Sequence, residues 1–325
     1  MTLAENIKDR ALFEGFNKVG IVGAESLEDE GRRLKEWLAR GHHGEMSWMA
    51  RDVHKRISPR EIFPAARSIV VGALNYFTPH QHQENSTTGK VSRYAWGDDY
   101  HDVVKGKLSS LLSWIKEQEP RAEGKICIDI QPTMDKAWAV RAGLGWLGKH
   151  SNVITPEYGS WIFIGELFLN LDLELDSEPM EDHCGTCTLC IDACPTTAIT
   201  EPYVVDSNKC ISYATIELRA PELPDEIQSK LSGWLYGCDI CQDVCPWNRF
   251  EEATAEMRFG PREGNADADL RKILELTPET YAKRFHGSAM KRAKLAGLQR
   301  NARALTEFQD LQDLQDKYAP QIKSN

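Results

Sequence analysis

The chain has 325 residues, of which 41% are hydrophobic and 27% charged, as is ordinary for a globular protein with a main domain and a smaller appendage. Its 39 Lys and Arg against 49 Asp and Glu give a formal net charge of −10, which disfavours a protein that coats nucleic acid through a general positive surface. The N-terminus lacks the apolar core of a secretory signal, and Glu166 and Asn170 interrupt the best apolar run, so we expect a cytoplasmic protein without a membrane span.

Over residues 1–175 the sequence pattern predicts helices that alternate with strands, which is typical of a layered α/β or α+β domain. Each predicted element has either a helical period of apolar residues or a short apolar run with β-branched residues. In chain order these elements are helix 3–15, strand 19–22, helix 28–40 ending at Gly41, strand 68–74, a polar loop at 80–90, helix 100–118, strand 125–130, and a hairpin of 151–155 with 160–169.

Eight of the nine cysteines lie between residues 184 and 245, and their spacing is that of a ferredoxin-type motif. The segment from Cys184 to Pro195 matches C-x2-C-x2-C-x3-C-P at every fixed position. Two-residue gaps let three thiolates converge on one [4Fe–4S] cluster, while the fourth thiolate points away and binds the other cluster. The segment therefore predicts a module with two iron–sulfur clusters that carries electrons.

A second motif, Cys238-x2-Cys241-x3-Cys245-Pro246, repeats the closing half of the first and lacks one member, which Cys210 can supply. Because the last cysteine of each motif binds the cluster of the other, two ligand sets follow. The sets are Cys184, Cys187, Cys190 and Cys245 for one cluster, and Cys194, Cys210, Cys238 and Cys241 for the other. The alternative is zinc, but a zinc site has no use for the third two-residue step or for the Cys-Pro end.

The glycines from Gly143 to Gly148 fit the G-x-G-x-x-G pattern of dinucleotide-binding proteins. That pattern counts only after a strand and before a helix, whereas here a helix precedes it and a strand follows. A glycine-rich turn is therefore the better interpretation. The ninth cysteine, Cys127, lies inside a predicted strand, and we expect it to be an ordinary buried core residue.

Four blocks of the chain, within a match that runs from about residue 5 to about residue 310, resemble epoxyqueuosine reductases. The blocks are Ser92–His101, Ala142–Ser151, Cys210–Glu217 and Tyr236–Asn248. The combination is far more specific than the cysteines alone. The resemblance implies a cobalamin-dependent oxidoreductase, related to reductive dehalogenases, that reduces epoxyqueuosine to queuosine in the tRNA anticodon loop, the final step of queuosine biosynthesis.

The resemblance also implies an architecture. We expect a nitroreductase-like α/β (α+β) cobalamin-binding domain at 1–175, a ferredoxin-like double [4Fe–4S] domain at 176–250 and a helical, basic C-terminal region at 251–325. The implied protein is a monomer that takes electrons from an external low-potential donor. The family's cobalamin is base-off, without a protein histidine below the cobalt, and the sequence agrees: Asp52-Val53-His54 begins the D-x-H-x-x-G pattern, but Ile57 occupies the glycine position.

Removal of an epoxide oxygen needs a positioned general acid, and Asp129 is the first candidate. It is a carboxylate inside the predicted apolar strand 125–130, where burial would raise its pKa and keep it protonated. It also matches the aspartate that the resemblance marks as proton donor. The alternative is a buried aspartate that accepts hydrogen bonds from backbone N–H groups. Asp135 is a competing candidate, which could equally cap the following helix.

Several residues are candidates for the cobalamin pocket. Arg56 could donate hydrogen bonds to the cobalamin phosphate, although a solvated surface arginine is nearly as good an interpretation. Three candidates lie in a matched block and could line the corrin pocket, although each alone is more often a core or surface aromatic: Tyr94, Tyr100 and His101. The others follow a glycine turn, whose backbone could approach the ring closely, or a cluster ligand: Lys149, Ser151 and Asn152, and Ser212 and Tyr213. Because Ser212 and Tyr213 adjoin Cys210, we expect the cluster of Cys194, Cys210, Cys238 and Cys241 to lie nearer the cobalt.

Residues 283–303 contain seven Lys or Arg and no acidic residue, at positions 283, 284, 291, 292, 294, 300 and 303. On a chain of net charge −10 this stretch is a candidate contact for the tRNA backbone. A solvated helix face explains the same charges equally well.

Three other functions share parts of this pattern. A reductive dehalogenase would use the same cofactors, but such enzymes usually carry a twin-arginine export signal, and the N-terminus has none. A plain electron-transfer protein would not bind a corrinoid. A zinc-binding interaction module would be colourless and free of sulfide.

Overall fold

The structure, a computed structural model, describes residues 2–83, 85–176, 179–250 and 252–307. Its helices are α1 (Leu3–Phe13), α2 (Glu28–Ala39), α3 (Trp48–Arg51), α4 (Val53–Ile57), α5 (Tyr100–Gln118), α6 (Asp135–Arg141), α7 (Leu189–Asp192), α8 (Ile211–Ile216), α9 (Asp225–Gln228), α10 (Ile240–Asp243), α11 (Leu270–Leu274) and α12 (Pro278–Arg284). Its strands are β1 (Lys18–Gly23), β2 (Ser68–Asn75), β3 (Thr88–Val91), β4 (Gly124–Cys127), β5 (Trp146–Leu147), β6 (Val153–Ile154), β7 (Ile162–Leu169), β8 (Ile199–Glu201), β9 (Val204–Val205), β10 (Trp234–Tyr236) and β11 (Asp267–Asp269). Residues 294–307 form a further helix, called here the C-terminal helix.

A four-stranded sheet of order β1-β2-β7-β4 organises the N-terminal part, and every neighbouring pair in it is antiparallel. All eight residues of β2 are buried, because helices cover both faces of the sheet. Ile7 of α1 and Val104 of α5 pack on one face, and Trp138 of α6 packs on the other. An antiparallel sheet between helices makes this part an α+β arrangement, which the sequence left open beside α/β.

Most predicted elements are present, with three differences. Residues 88–90 of the expected polar loop belong to β3, which pairs with β10 and β11. The expected hairpin of 151–155 with 160–169 is wrong, because β6 pairs with β5 and β7 joins the central sheet. A single bridge between Thr155 and Gly159 is what the described residues keep of that hairpin. The strand predicted at 125–130 ends at Cys127.

A second core lies under the cysteine-rich segment and contains side chains from distant parts of the chain. Trp96, Tyr236 and Phe285 are fully buried in it. Asp239, next to Cys238, accepts hydrogen bonds from Ser92 Oγ and from the Arg93 backbone N–H. The block that begins at Ser92 is thereby fixed to the second cysteine motif.

The C-terminal helix closes this second core with two buried polar residues. Arg300 donates to the carbonyl oxygens of Leu218 and Ala220 at 2.9 Å and to that of Ala214 at 2.6 Å. Asn301 donates to two further carbonyl oxygens, those of Thr215 and Leu235. One of the seven basic residues proposed for RNA therefore has a structural role inside the protein.

The glycine-rich turn joins α6 to β5, so it follows a helix and precedes a strand, as the turn interpretation predicted. Gly143 has φ +68, a left-handed conformation that suits glycine. A Cβ at Gly145 would lie 2.0 Å from the Ile154 carbonyl oxygen, so the tight β5–β6 pairing requires glycine there. Within the described residues, no helix has the length and apolar character needed to cross a membrane.

Candidate active site and cysteine sites

Asp129 lies just after β4, in a left-handed backbone conformation with φ +51, and its side chain is 65% exposed. The expectation that it is buried within a strand is wrong. Its carboxylate oxygen Oδ2 accepts a hydrogen bond from the Tyr100 hydroxyl at 2.5 Å and lies 3.6 Å from His101 Nε2. The carboxylate is therefore open to solvent beside the start of α5, and the exposed surface around it is called here the cleft.

The charge state of Asp129 differs from the sequence-based expectation. Partial desolvation raises its pKa, but the ion pair with His101 and the hydrogen bond from Tyr100 outweigh this and hold the pKa below its ordinary value. Asp129 is therefore ionised at neutral pH, and the expectation of a neutral, protonated carboxyl is wrong.

His101, in the first turn of α5, carries the proton in this cluster. Its Nδ1 lies 2.7 Å from Asp99 Oδ1, and its ring stacks on Tyr100 with centroids 4.0 Å apart. Desolvation lowers the pKa of His101, but the ion pair with Asp129 and the hydrogen bond to Asp99 raise it to about 9. An imidazolium between two carboxylates thus faces the cleft at neutral pH.

Two more aromatic residues complete this wall of the cleft. Tyr100 stacks on Phe163 of β7 with centroids 4.4 Å apart and planes 5° apart. Tyr94 meets Tyr100 at its edge and donates from its hydroxyl to the Tyr236 hydroxyl at 3.0 Å. The matched residues Tyr94, Tyr100 and His101 therefore lie together, beside Asp129.

Two cationic residues, Lys136 and Arg56, lie near the Asp129 loop. Lys136 Nζ donates to the Ser151 carbonyl and to Asn152 Oδ1, each at 2.8 Å. Arg56 Nη1 donates to the Thr133 carbonyl at 3.1 Å, while its buried Nε has no hydrogen-bond partner among the described residues. These N–H donors suit a ligand rich in amide and phosphate oxygens.

The first predicted cysteine set lines one cavity of about 230 Å³: Cys184, Cys187, Cys190 and Cys245. Burial and the other three thiols raise the pKa of Cys190 to about 11. Lys149 also lines this cavity, and its Nζ donates to the Gly185 carbonyl at 2.6 Å and to the Cys187 carbonyl at 2.9 Å. Four thiols around one cavity are a donor set that fits an iron–sulfur cluster.

The second set also converges, since Cys241 interacts electrostatically with Cys210 and Cys194, and Cys238 with Cys241 and Cys210. The backbone N–H groups of Ser212 and Tyr213 point at the Cys210 sulfur, which suits a thiolate ligand. The Tyr213 hydroxyl accepts a hydrogen bond from the Glu45 backbone N–H at 2.7 Å.

Lys136 connects the second cysteine set with the Asp129 loop. Its ammonium group interacts electrostatically with Asp129 and Asp135 on one side and with Cys241 and Cys210 on the other. This set therefore adjoins the cleft.

Comparison with known proteins identifies the family. Residues 56–130 match the family model described as epoxyqueuosine reductase QueG, DUF1730, and residues 183–248 match the 4Fe-4S double cluster binding domain. The epoxyqueuosine reductase of Synechocystis sp. is 50% identical over 289 residues, which cover 88% of this chain and 99% of the relative. The chain belongs to the epoxyqueuosine reductase family. The Cellulophaga algicola member is 48% identical over 295 residues, covering 91% and 95% of the two chains.

Solved structures of epoxyqueuosine reductases share the fold. One, in complex with an epoxyqueuosine-modified tRNA-Tyr stem loop, has a TM-score of 0.88 and 33% identity, and the match covers 95% of this chain and 82% of that chain. The Bacillus subtilis epoxyqueuosine reductase, in a form whose catalytic aspartate loop is swung out of the active site, has a TM-score of 0.87 and 32% identity, covering 97% and 84%.

Sequence reasoning about this epoxyqueuosine reductase family member missed two residues of the site region. Lys136 has no signal of its own, because one lysine at the start of a helix is unremarkable. Glu166 had one: it is a single carboxylate inside the apolar run from Trp161 to Leu169, and the structure buries it fully.

Proposed function

We propose that this chain reduces epoxyqueuosine to queuosine in the anticodon loop of tRNA, as the final step of queuosine biosynthesis in the cytoplasm. The observation that carries the proposal is the cleft in which a charged His101 and the Asp129 carboxylate lie beside Lys136 and the second cysteine set. The relatives named epoxyqueuosine reductase support it, since they match almost the whole chain.

The reaction fixes what the cleft residues must do. An epoxide that takes up two electrons and two protons becomes an alkene and water, so the departing oxygen needs a nearby proton. His101 holds that proton at neutral pH, and Asp129 lies within reach of both His101 and the open cleft. The Asp129–His101 pair is therefore the proposed donor of the first proton, which would move from His101 to the Asp129 carboxylate and from there to the departing oxygen; the second proton would come from solvent.

Base-off cobalamin, when bound, would supply the electrons that break the carbon–oxygen bond. Of the residues expected to hold it, Tyr94, Tyr100, His101, Arg56, Ser151 and Asn152 lie around the Asp129 loop and fit this role through their N–H and O–H groups or ring faces. Lys149 contacts the first cysteine cavity, so we assign it to the cluster loop. Ser212 and Tyr213 remain assigned to the boundary beside Cys210.

Two [4Fe–4S] clusters would carry electrons inward from an external low-potential donor. The proposed ligand sets are Cys184, Cys187, Cys190 and Cys245, and Cys194, Cys210, Cys238 and Cys241. The closeness of Lys136 to Cys210 and Cys241 supports the second set as the one nearer the cleft. A nitroreductase-like cobalamin-binding domain at 1–175, a cluster domain at 176–250, a C-terminal region at 251–325 and a monomeric state complete the proposal.

The proposed tRNA contact uses only some of the seven basic residues in the stretch 283–303. Arg300 is buried, Arg292 makes a two-point ion pair with Glu217, and the half-buried Arg284 donates to the Gly264 carbonyl at 3.0 Å. The side chains left for phosphate contacts are the exposed ones of Lys283, Lys291, Lys294 and Arg303. The relative solved with a tRNA stem loop supports RNA as the partner.

Anaerobic turnover tests the function directly. Protein loaded with clusters and cobalamin is given epoxyqueuosine-containing tRNA and a low-potential reductant, and nucleosides are quantified by mass spectrometry. We expect queuosine to form as epoxyqueuosine is consumed. Fully loaded protein that forms no queuosine contradicts the assignment.

A further inference from the structure

Glu166 lies in the middle of β7, the third strand of the central sheet, and its side chain is 0% exposed. It pairs with Val71 of β2 and Cys127 of β4, and residues that pair directly across strands point to the same face. That face packs against α6 through Trp138 and Phe168. Neither carboxyl oxygen of Glu166 has a hydrogen-bond donor among the described residues, which would be costly for a buried anion.

The carboxyl of Asp135 lies within hydrogen-bonding reach of the Glu166 carboxyl. Two ionised carboxylates can only accept hydrogen bonds, so neither satisfies the other. One proton between them resolves the conflict, because the protonated member donates to the ionised member.

Asp135 is also the residue that holds the Asp129 loop. Its Oδ2 accepts the Asp129 backbone N–H at 2.9 Å, and its Oδ1 accepts from the Thr133 hydroxyl. Asp129 has φ +51, which costs a non-glycine residue about 1 kcal/mol, so a hydrogen bond to its N–H helps to keep the loop in that conformation.

We propose that Glu166 and Asp135 share one proton as a buried acid pair that positions Asp129: Glu166 donates to Asp135, and the Asp135 carboxylate binds the Asp129 N–H. Glu166 and Asp135 are positioning residues, since they act on the reaction through Asp129. This inference rests on the proposed role of Asp129 in the reaction.

The surroundings of the pair agree with a proton on Glu166. Desolvation and the nearby Asp135 and Asp129 carboxylates raise the pKa of Glu166 well above its ordinary value. Desolvation and Asp129 also raise the pKa of Asp135, while the hydrogen bond from Glu166 lowers it. Among the described residues, the other titratable or charged groups facing the pair are the Cys127 thiol on β4, Arg56 on α4, Tyr100 on α5 and Lys136 on α6.

Infrared spectroscopy of the substrate-free protein tests the shared proton. The wild type should show a carboxylic acid C=O band above the amide I band that shifts in D2O. The band should vanish in Glu166→Gln, whose amide donates permanently to Asp135, and persist in the matched control Cys127→Ala. A band that persists in Glu166→Gln, or no such band in the wild type, overturns the shared proton.

Stability against pH gives a second readout that does not depend on activity. A carboxyl whose folded pKa is raised contributes stability that is fully present below its unfolded pKa, about 4.5, and is lost as pH rises through the folded value. The wild type should therefore lose stability relative to Glu166→Gln as the pH is raised from 5 towards 9. Parallel pH curves for the two proteins overturn the proposal.

Turnover tests the positioning role. Glu166→Leu removes the donor to Asp135, so we expect kcat to fall by about 10- to 100-fold with KM for tRNA little changed. Glu166→Gln should restore most of kcat, because it restores the donor. Equal kcat for the two variants overturns the positioning role. A wild type without turnover but with the band and the pH effect would instead count against the proposed function alone.

Discussion

At the scale of single residues, the site depends on which of three neighbours holds a proton. Asp99 and Asp129 are ionised, and His101 between them is charged. The proton available at the cleft is therefore bound to His101 and not to Asp129. The sequence could suggest Asp129 as a proton donor, but not that its proton lies on a histidine 28 positions earlier.

Replacement of Asp129 by asparagine removes the group proposed to contact the epoxide oxygen. We expect kcat to fall by about 10²- to 10⁴-fold, the usual contribution of a general acid, with tRNA affinity retained. Queuosine formation measured by nucleoside mass spectrometry checks this. Asp9→Asn, an exposed change on α1, is the matched control, and an Asp129→Asn protein with full turnover would remove this residue from the mechanism.

The alkaline limit of turnover should report on His101. The protonated imidazole exists below its pKa of about 9, so wild-type kcat should fall as pH rises through that value. His101→Gln should be slow at all pH values and lack this alkaline limb. The exposed His286→Gln variant should keep the wild-type profile, and a limb that survives in His101→Gln would assign it to another group.

The free energy of unfolding should also depend on the protonation of His101. Because the folded pKa of His101 lies above the ordinary 6.5, its contribution is complete below pH 6.5 and is lost as pH rises through about 9. The shift corresponds to an effect on the order of 3 kcal/mol. Unfolding of wild type and His101→Gln at pH 6 and pH 10 measures it: the advantage of the wild type should shrink at pH 10.

At the scale of elements, local patterns predicted helices and buried strands well but not their partners. Helix 100–118 and strand 68–74 agree with α5 and β2 to within a residue, because both carry strong periodic or apolar signals. The pairing of β7 with β2 depends on residues almost a hundred positions apart, and no local turn signal reports it. The end of β4 before Asp129 also has no local turn signal, because Ile128 and Ile130 continue the apolar pattern of the strand.

The β5–β6 hairpin carries Lys149, which contacts the first cysteine set, and Asn152, which lies near the Asp129 loop. Gly145→Ala would place a Cβ 2.0 Å from the Ile154 carbonyl oxygen, so we expect a loss of about 1–3 kcal/mol or more and weaker cluster absorbance. Gly106→Ala in α5 is the control: no atom lies within 4 Å of its Cβ, and it should be neutral or stabilising by up to about 1 kcal/mol. Denaturant unfolding and visible absorbance measure both, and a silent Gly145→Ala would contradict the close approach.

At the scale of the whole molecule, the C-terminal helix joins segments that are far apart in sequence. Arg300→Met leaves three carbonyl oxygens without their donor, and we expect a loss of about 3 kcal/mol or more. The exposed Arg303→Met should change the free energy of unfolding by less than about 0.5 kcal/mol. Thermal and denaturant unfolding measure both variants. Equal stabilities would mean that the hydrogen bonds of Arg300 do not stabilise the fold.

The hydrogen bonds of Arg300 and Asn301 also link the C-terminal helix to the second cysteine set. Asn301 binds the carbonyl oxygens of Thr215 and Leu235, which belong to the segments that carry Cys210 and precede Cys238. We therefore expect the second cysteine set to depend on the C-terminal helix, although that helix contributes no cysteine. A chain truncated before Arg300 should bind iron and sulfide at this set less tightly than the whole chain.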